Sequence, residues 1–329
     1  MEYNIIYGAG IYGEIFSNAI ESQGIDIEYL VDEYTPKTIL ADKKIKRLKE
    51  ISLENSIVYI SITSPMAEVE VIQTLQKLKA KKIYTFIETL HKFPSLVSEC
   101  VMHTKTWWTP DLKQMVETKK IEAFKILLND QKSINLLNSI VQFRTHLTAK
   151  SYPSPDLEPQ YFPSDINLFS HLDFIRFIDG GAYIGDTISE ALIGFKNANK
   201  KVDYIASFEP EKRNIALLSE EVKKQNSLHQ DINFFVYPCG LWSSNAILEF
   251  TDNCGSSSSL MIKTTQNKIQ IPTVKLDETF IAANPNYIKM DIEGAEDEAI
   301  KGATELIKTT SPVLAICLYH KPKDLWELP

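Results

Sequence analysis

In FIDGGAYIGDT, residues 177–187, an apolar run meets an acid, two glycines, a third glycine and a second acid. Glycines in a strand-to-helix turn let a ligand approach the backbone with no Cβ in the way. A phosphate would seek the bare helix N-terminus, yet Asp179 before the glycines and Asp186 after them are poor company for one. Two carboxylates suit a cation. S-adenosylmethionine, with a sulfonium, an ammonium and no phosphate, meets that description. The candidate contacts are Asp179, Gly180, Gly181, Tyr183, Gly185, Asp186 and Thr187. On this reading Gly181→Val blocks the ligand while leaving the fold largely intact.

Further chemistry-bearing residues follow later apolar runs. SFEPE places Glu209 and Pro210 at a strand end, where an acid accepts hydrogen bonds from ribose hydroxyls. PCGLW offers Gly240 and Leu241 for the adenine edge. IKMDIEGAE supplies Asp291 and Glu293 for the acceptor side, and LAICLYH ends in His320, a near-neutral titrating group suited to proton abstraction. Each has a plainer reading: helix caps for the acids, an ion pair to Lys289, a backbone hydrogen bond for His320. Two neighbouring carboxylates suit a hard divalent cation, but no third ligand is evident, so no metal is expected.

The chain opens with a second device. NIIYGAGIYGEIF carries Gly8, Gly10, Tyr12 and Gly13 in the full G-x-G-x-x-G spacing, after a strand and at the start of a helix. Asp32 ends the next strand, where a ribose-binding acid belongs. Taken alone this reads as a nicotinamide dinucleotide site. No Tyr-x-x-x-Lys pair accompanies it in that half of the chain.

These residues need sheets to hold them. Strand-like runs alternate with helical spacing over residues 1–90, including helices at 11–22 and 65–79. Residues 91–164 carry helical patterns, the pair Trp107 and Trp108 beside Pro110, and a proline-rich connector; a homodimer contact is one use for these helices. Alternation resumes over 165–329, interrupted after the third strand by a Ser/Thr-rich region that suggests hairpins over the sheet mouth. The expectation is therefore α/β: two Rossmann-like parallel-sheet domains joined by a helical segment.

Composition narrows the class. The 329 residues are 44% hydrophobic and 24% charged, with a net charge of −8 that argues against a broad nucleic-acid face. No apolar run is long enough for a membrane span. Cys100, Cys239, Cys254 and Cys317 have no paired spacing, which fits reduced thiols in the cytoplasm.

In this order, FIDGGAYIGDT, FEPEKRN, YIKMDIEGAEDEAIKGA and PVLAICLYHKPKDLWELP, preceded by LEPQYF, resemble the FkbM family of S-adenosylmethionine-dependent methyltransferases over residues 157–329. The resemblance implies a class I methyltransferase sheet and methyl transfer, usually to an oxygen of a sugar or other natural-product intermediate. Such sheets normally finish with an antiparallel hairpin, and this sequence stops at Pro329, so either a truncated or a shortened sheet is expected. The start of the chain resembles nucleotide-sugar-binding modules of bacterial sugar-modifying enzymes. The competing functions are an NAD-dependent sugar oxidoreductase or epimerase run by the first glycine motif, and a non-catalytic nucleotide-binding protein.

Overall fold

The computed structural model describes residues 2–104, 114–146, 153, 156–251 and 268–329. Trp107, Trp108, Pro110, and residues 252–267 of the Ser/Thr-rich region with Cys254 among them, lie outside those residues. The chain divides into two compact units, Met1–Leu157 and Glu158–Pro329.

In chain order the first unit contains β1 (Tyr3–Tyr7), α1 (Ile11–Ser22), β2 (Ile27–Val31), β3 (Ile39–Leu40), β4 (Lys43–Lys46), β5 (Ser56–Ile60), α2 (Pro65–Lys77), β6 (Lys82–Tyr84), α3 (Phe86–Lys92), α4 (Ser95–Thr104), α5 (Thr118–Leu127) and α6 (Gln131–His146). The sheet order is β3-β4-β2-β1-β5-β6. β1 lies between β2 and β5, and its alternating side chains feed two cores. Ile6 faces Phe16, Ile20 and Phe93, whereas Ile5 and Tyr7 face Val58, Ile60 and Leu75. Both faces are covered, as a parallel sheet requires.

The expectation of an all-parallel sheet fails at one edge. β3 pairs antiparallel to β4, so the first sheet is mixed. Ala41 and Asp42 both take positive φ (50° and 57°), the geometry of a two-residue hairpin turn matched to strand twist. No Asn-Gly or Asp-Gly pair advertises this turn.

The second unit contains β7 (Phe174–Gly180), α7 (Asp186–Asn197), β8 (Lys201–Phe208), α8 (Lys212–Leu228), β9 (Asn233–Tyr237), β10 (Gly240–Leu241), β11 (Ala246–Thr251), β12 (Lys268–Val274), α9 (Leu276–Thr279), β13 (Tyr287–Met290), α10 (Glu296–Lys301), α11 (Thr304–Thr310), β14 (Val313–Ile316) and α12 (Asp324–Glu327). Its main sheet, β14-β13-β7-β8-β9, is parallel throughout. No strand follows β14 among the described residues.

Ile188, Ala191 and Phe195 recur at helical spacing on α7 and pack with Phe177, Ile205 and Tyr287 of the sheet. That packing sets the first turn of α7 over the carboxyl end of β7. The chain leaves β7 towards β8 on one side and reaches β13 only later on the other. The order therefore reverses at β7, which leaves a crevice at its end. A small sheet, β10-β12-β11, stands beside this crevice.

Candidate active site

The cleft at the ends of β7, β8 and β13 has a volume of about 450 Å³, within the usual range for small-molecule sites. Ten residues expected from the sequence line it: Gly181, Tyr183, Asp186, Thr187, Glu209, Pro210, Gly240, Leu241, Asp291 and Glu293. Asp179, Gly180, Gly185 and His320 are not among its lining residues.

Asp179 sits one layer deeper. It is the register partner of Lys289 across β7 and β13, so the two side chains emerge on the same side. Lys289 Nζ lies 3.0 Å from Asp179 Oδ1 and donates to the Gly181 carbonyl at 2.8 Å. Both side chains are almost fully buried, and Asp179 Oδ2 has no partner among the described residues. Burial pushes the Asp179 carboxyl up and the nearby ammonium opposes it. The same burial works against the ammonium, but Asp179 outweighs it and holds Lys289 protonated. The short Nζ–Oδ1 distance favours the ionised pair. Asp179 thus reaches the cleft only through Lys289 and the Gly181 turn.

Gly181 has φ +75°, and a Cβ there would lie 1.9 Å from the Asp291 carbonyl oxygen. The glycine is required for backbone packed on backbone. The expectation that Gly181→Val spares the fold is therefore overturned by this contact.

Glu209 ends β8 and is buried. Its Oε2 accepts from the Tyr183 N–H at 2.9 Å; its Oε1 accepts from the Glu211 N–H at 2.8 Å and from Asn214 Nδ2 at 3.3 Å. A carboxylate offers about four acceptor positions, so capacity remains towards the cleft. Burial pushes its pKa up against these donors. Glu190, one turn after Asp186 on α7, also lines the cleft and is raised by burial and then by Asp186.

On the far wall, Tyr161 donates to Asp291 Oδ2 at 2.8 Å and Tyr319 donates to Oδ1 at 2.9 Å. Burial alone would raise the Asp291 pKa, but these hydroxyls, Lys289 and His320 hold it below the ordinary carboxylate value. Glu293, two residues on and at φ 57°, is instead raised, chiefly by burial. The two neighbouring acids are thus pushed in opposite directions.

His320 stands behind them, its side chain almost wholly buried. Nδ1 is 3.0 Å from Glu296 Oε1; Nε2 is 3.3 Å from Asp291 Oδ1 and 3.8 Å from Glu293 Oε2. Burial works against the imidazolium, yet Glu296, Asp291 and Glu293 outweigh it and raise the pKa. The sequence reading found no third partner for Asp291 and Glu293; the structure groups Asp291 instead with Glu296 and His320. Sequence reasoning also passed over Tyr161, Glu190, Asn214 and Trp242 in the lining. The Asp186-to-Glu190 spacing was a usable helical signal. Tyr161 lies in LEPQYF, which helped carry the resemblance but gave no sign of its contact with Asp291. Cys317 is buried beside Tyr161, its thiol pushed up to about 12 by burial first, which makes it core and not a nucleophile.

In the first unit, a Cβ on Gly13 would lie 2.2 Å from the Gly8 carbonyl oxygen, so that glycine serves strand-to-helix packing. Gly10 faces open space, and Tyr12 packs edge-on against Phe86. Asp32 turns onto the glycine loop. Its Oδ2 accepts from the Ala9 N–H and its Oδ1 from the Tyr34 and Thr35 N–H groups, each at 2.8 Å.

The family model described as Methyltransferase FkbM domain matches residues 179–327. No curated protein matches the chain. The crystal structure of a methyltransferase FkbM from Methylobacillus flagellatus is similar in fold, with a TM-score of 0.57 and 19% identity, covering 99% of this chain and 82% of that one. The glycine turn, the acid ending β8 and the β13 acids all fall inside the matched residues, and the carboxyl-terminal part of this chain is a methyltransferase FkbM domain, the domain of S-adenosylmethionine-dependent methyltransferases.

Proposed function

We propose that the cleft holds S-adenosylmethionine between the Gly181 turn and Glu209, and that the chain transfers its methyl group to a hydroxyl of a saccharide-like acceptor. The observation that supports this reading is the placement of acids around one cleft: Glu209 at the end of β8, Asp186 and Glu190 on α7, Asp291 and Glu293 after β13. Phe208, Leu241 and Ile292 supply the apolar surface that an adenine needs. The donor set fits an uncharged nucleoside with a cationic tail and would repel a phosphate.

When bound, the cofactor supplies a methyl on a sulfonium, whose C–S bond breaks with its electron pair left on sulfur. The protein's part is alignment and exclusion of water. Asp291, kept ionised, orients the acceptor hydroxyl. Glu293, whose pKa burial raises above the ordinary carboxylate value, takes the hydroxyl proton as the oxygen lone pair forms the new O–C bond. His320 does not line the cleft and acts through Asp291 and Glu293. Trp242 and Tyr161 on the wall suit a sugar ring, with an apolar face and polar edges.

Calorimetric titration of the full chain tests the cofactor half of this reading: S-adenosylhomocysteine should bind at one equivalent, and Asp186→Lys should weaken it at least tenfold. Methyl transfer to a panel of sugars and nucleotide sugars tests the acceptor half. Failure of S-adenosylhomocysteine to bind would end the proposal.

The first unit is proposed as a capture site for a nucleotide-linked acceptor on narrower support, the glycine spacing and the open surface at Gly10. Asp32 already accepts the Ala9 N–H that a phosphate would need. Titration with uridine diphosphate glucose and with NADH decides it.

A further inference from the structure

The residues that crowd His320 come from two neighbouring strands. β13 runs into MDIEGAE, which places Asp291, Glu293 and Glu296 within six residues, and its neighbour β14 runs into CLYH. The fold therefore gathers three carboxylates around one imidazole at 3.0, 3.3 and 3.8 Å. A protonated imidazole supplies one positive charge against those three carboxylates, of which Asp291 also accepts the Tyr161 and Tyr319 hydroxyls and Glu296 the Ile292 N–H. Lys289 is already committed to Asp179 and Gly181, and the Lys321 ammonium is given to the Gly294 carbonyl. Asp324, also buried nearby, adds a further acid.

A second observation is independent of charge. His320 and Glu296 are 8% and 1% exposed. Neither ring nitrogen, nor Glu296 Oε2, makes an aligned hydrogen bond among the described residues, although the Nδ1–Oε1 distance alone would permit one. Buried polar atoms left in this state are costly. One ligand atom each from Asp291, Glu296 and His320 lies within 4.8 Å of the others. Three atoms bound at roughly 2.0–2.3 Å to one ion, about 90–120° apart, stand about 3–4 Å from one another, so closing on an ion through one ring nitrogen draws the widest pair inwards by up to about 2 Å.

We propose that Asp291, Glu296 and His320 form a divalent-cation site at the acceptor side of the cleft. Mixed carboxylate and imidazole ligands suit an ion such as Mn²⁺ better than Ca²⁺, which prefers oxygen alone. Asp291 belongs both to this cluster and to the cleft wall, so the ion keeps an open position facing the cleft. An acceptor hydroxyl held there loses its proton more readily, with Glu293 left free to take it. Ion binding itself does not depend on the methyl-transfer reading; only this use of it rests on that reading.

The experiment is titration of chelator-treated full-length protein with Mn²⁺, without any adenosyl compound, followed by electron paramagnetic resonance. One saturable equivalent is expected, with spin-echo modulation from a directly bound ¹⁴N. His320→Gln should abolish that modulation and weaken Mn²⁺ at least tenfold while S-adenosylhomocysteine still binds. Absence of saturable binding, or bound Mn²⁺ without nitrogen coupling, would overturn the site, and both readouts need only the unaltered chain. S-adenosylhomocysteine binding without Mn²⁺ refutes the ion and spares the cofactor reading; Mn²⁺ binding without S-adenosylhomocysteine does the reverse.

Discussion

Lys289 and Asp179 are register partners on adjacent parallel strands, and their charged ends meet 3.0 Å apart with almost no exposure to solvent. The same ammonium holds the Gly181 carbonyl. The pair thereby fixes the turn that carries the cleft's first wall.

Removing one partner strands the other. Lys289→Met should destabilise the protein by about 3–5 kcal/mol, because an unpaired carboxylate is left buried. Adding Asp179→Leu should recover a large part of that loss, since an apolar pair no longer needs ionic compensation. Urea denaturation of both variants and of the unaltered chain measures the effect. Equal stability of single and double variants would show that a stranded carboxylate is not what Lys289→Met costs.

Gly181 is constrained by its neighbour strand more than by any ligand. Gly181→Ala places a Cβ against the Asp291 carbonyl at 1.9 Å and also demands a left-handed backbone. A loss above about 3 kcal/mol is expected, together with loss of S-adenosylhomocysteine affinity. A variant melting within about 2 °C of the unaltered chain would contradict that packing.

How much of this was legible depends on the range of the signal. Strand ends followed by glycines or acids are local, and the residues read from them form the cleft wall at Gly181, Glu209 and Asp291. Helix α1 spans Ile11–Ser22, the limits its spacing predicts. Partners distant in sequence were invisible. Tyr161 meets Asp291 across 130 positions, and nothing near either residue announces it. One further local signal was missed. Thr85 and Glu88 form a capping box that ends the run KKIYTFI as a strand at Tyr84 and begins α3 at Phe86. The Ala41–Asp42 turn uses residues that seldom take positive φ, so the edge hairpin of the first sheet had no sequence marker.

Glu209 offers a narrower test of the cleft. Its oxygens already accept the Tyr183 and Glu211 N–H groups, which keeps the β8 end and the α7 turn in register. Glu209→Gln retains the shape but replaces one acceptor oxygen by a donor. S-adenosylhomocysteine affinity should fall roughly tenfold to a hundredfold, which corresponds to about 1.4–2.7 kcal/mol. Adenine-only ligands should lose little. Calorimetry with S-adenosylhomocysteine and with adenine separates the two, and an equal loss for both would place the ribose elsewhere.

Asp32 gives the first unit a pH dependence with a definite sign. Burial would raise its pKa, but the Ala9, Thr35 and Tyr34 N–H groups, and then Arg47, outweigh burial and lower it. A carboxyl depressed in the folded state stabilises that state above its unfolded pKa of about 3.9, and the contribution is lost as pH falls through the folded value. Asp32→Asn keeps one acceptor and has no charge to lose. The unaltered chain should therefore exceed the variant by about 1–2 kcal/mol at pH 7, and the difference should shrink steadily below about pH 5. Thermal melts of both proteins between pH 7 and pH 3 measure it. A gap that widens on acidification would mean that Asp32 is not held as the anion by the glycine loop.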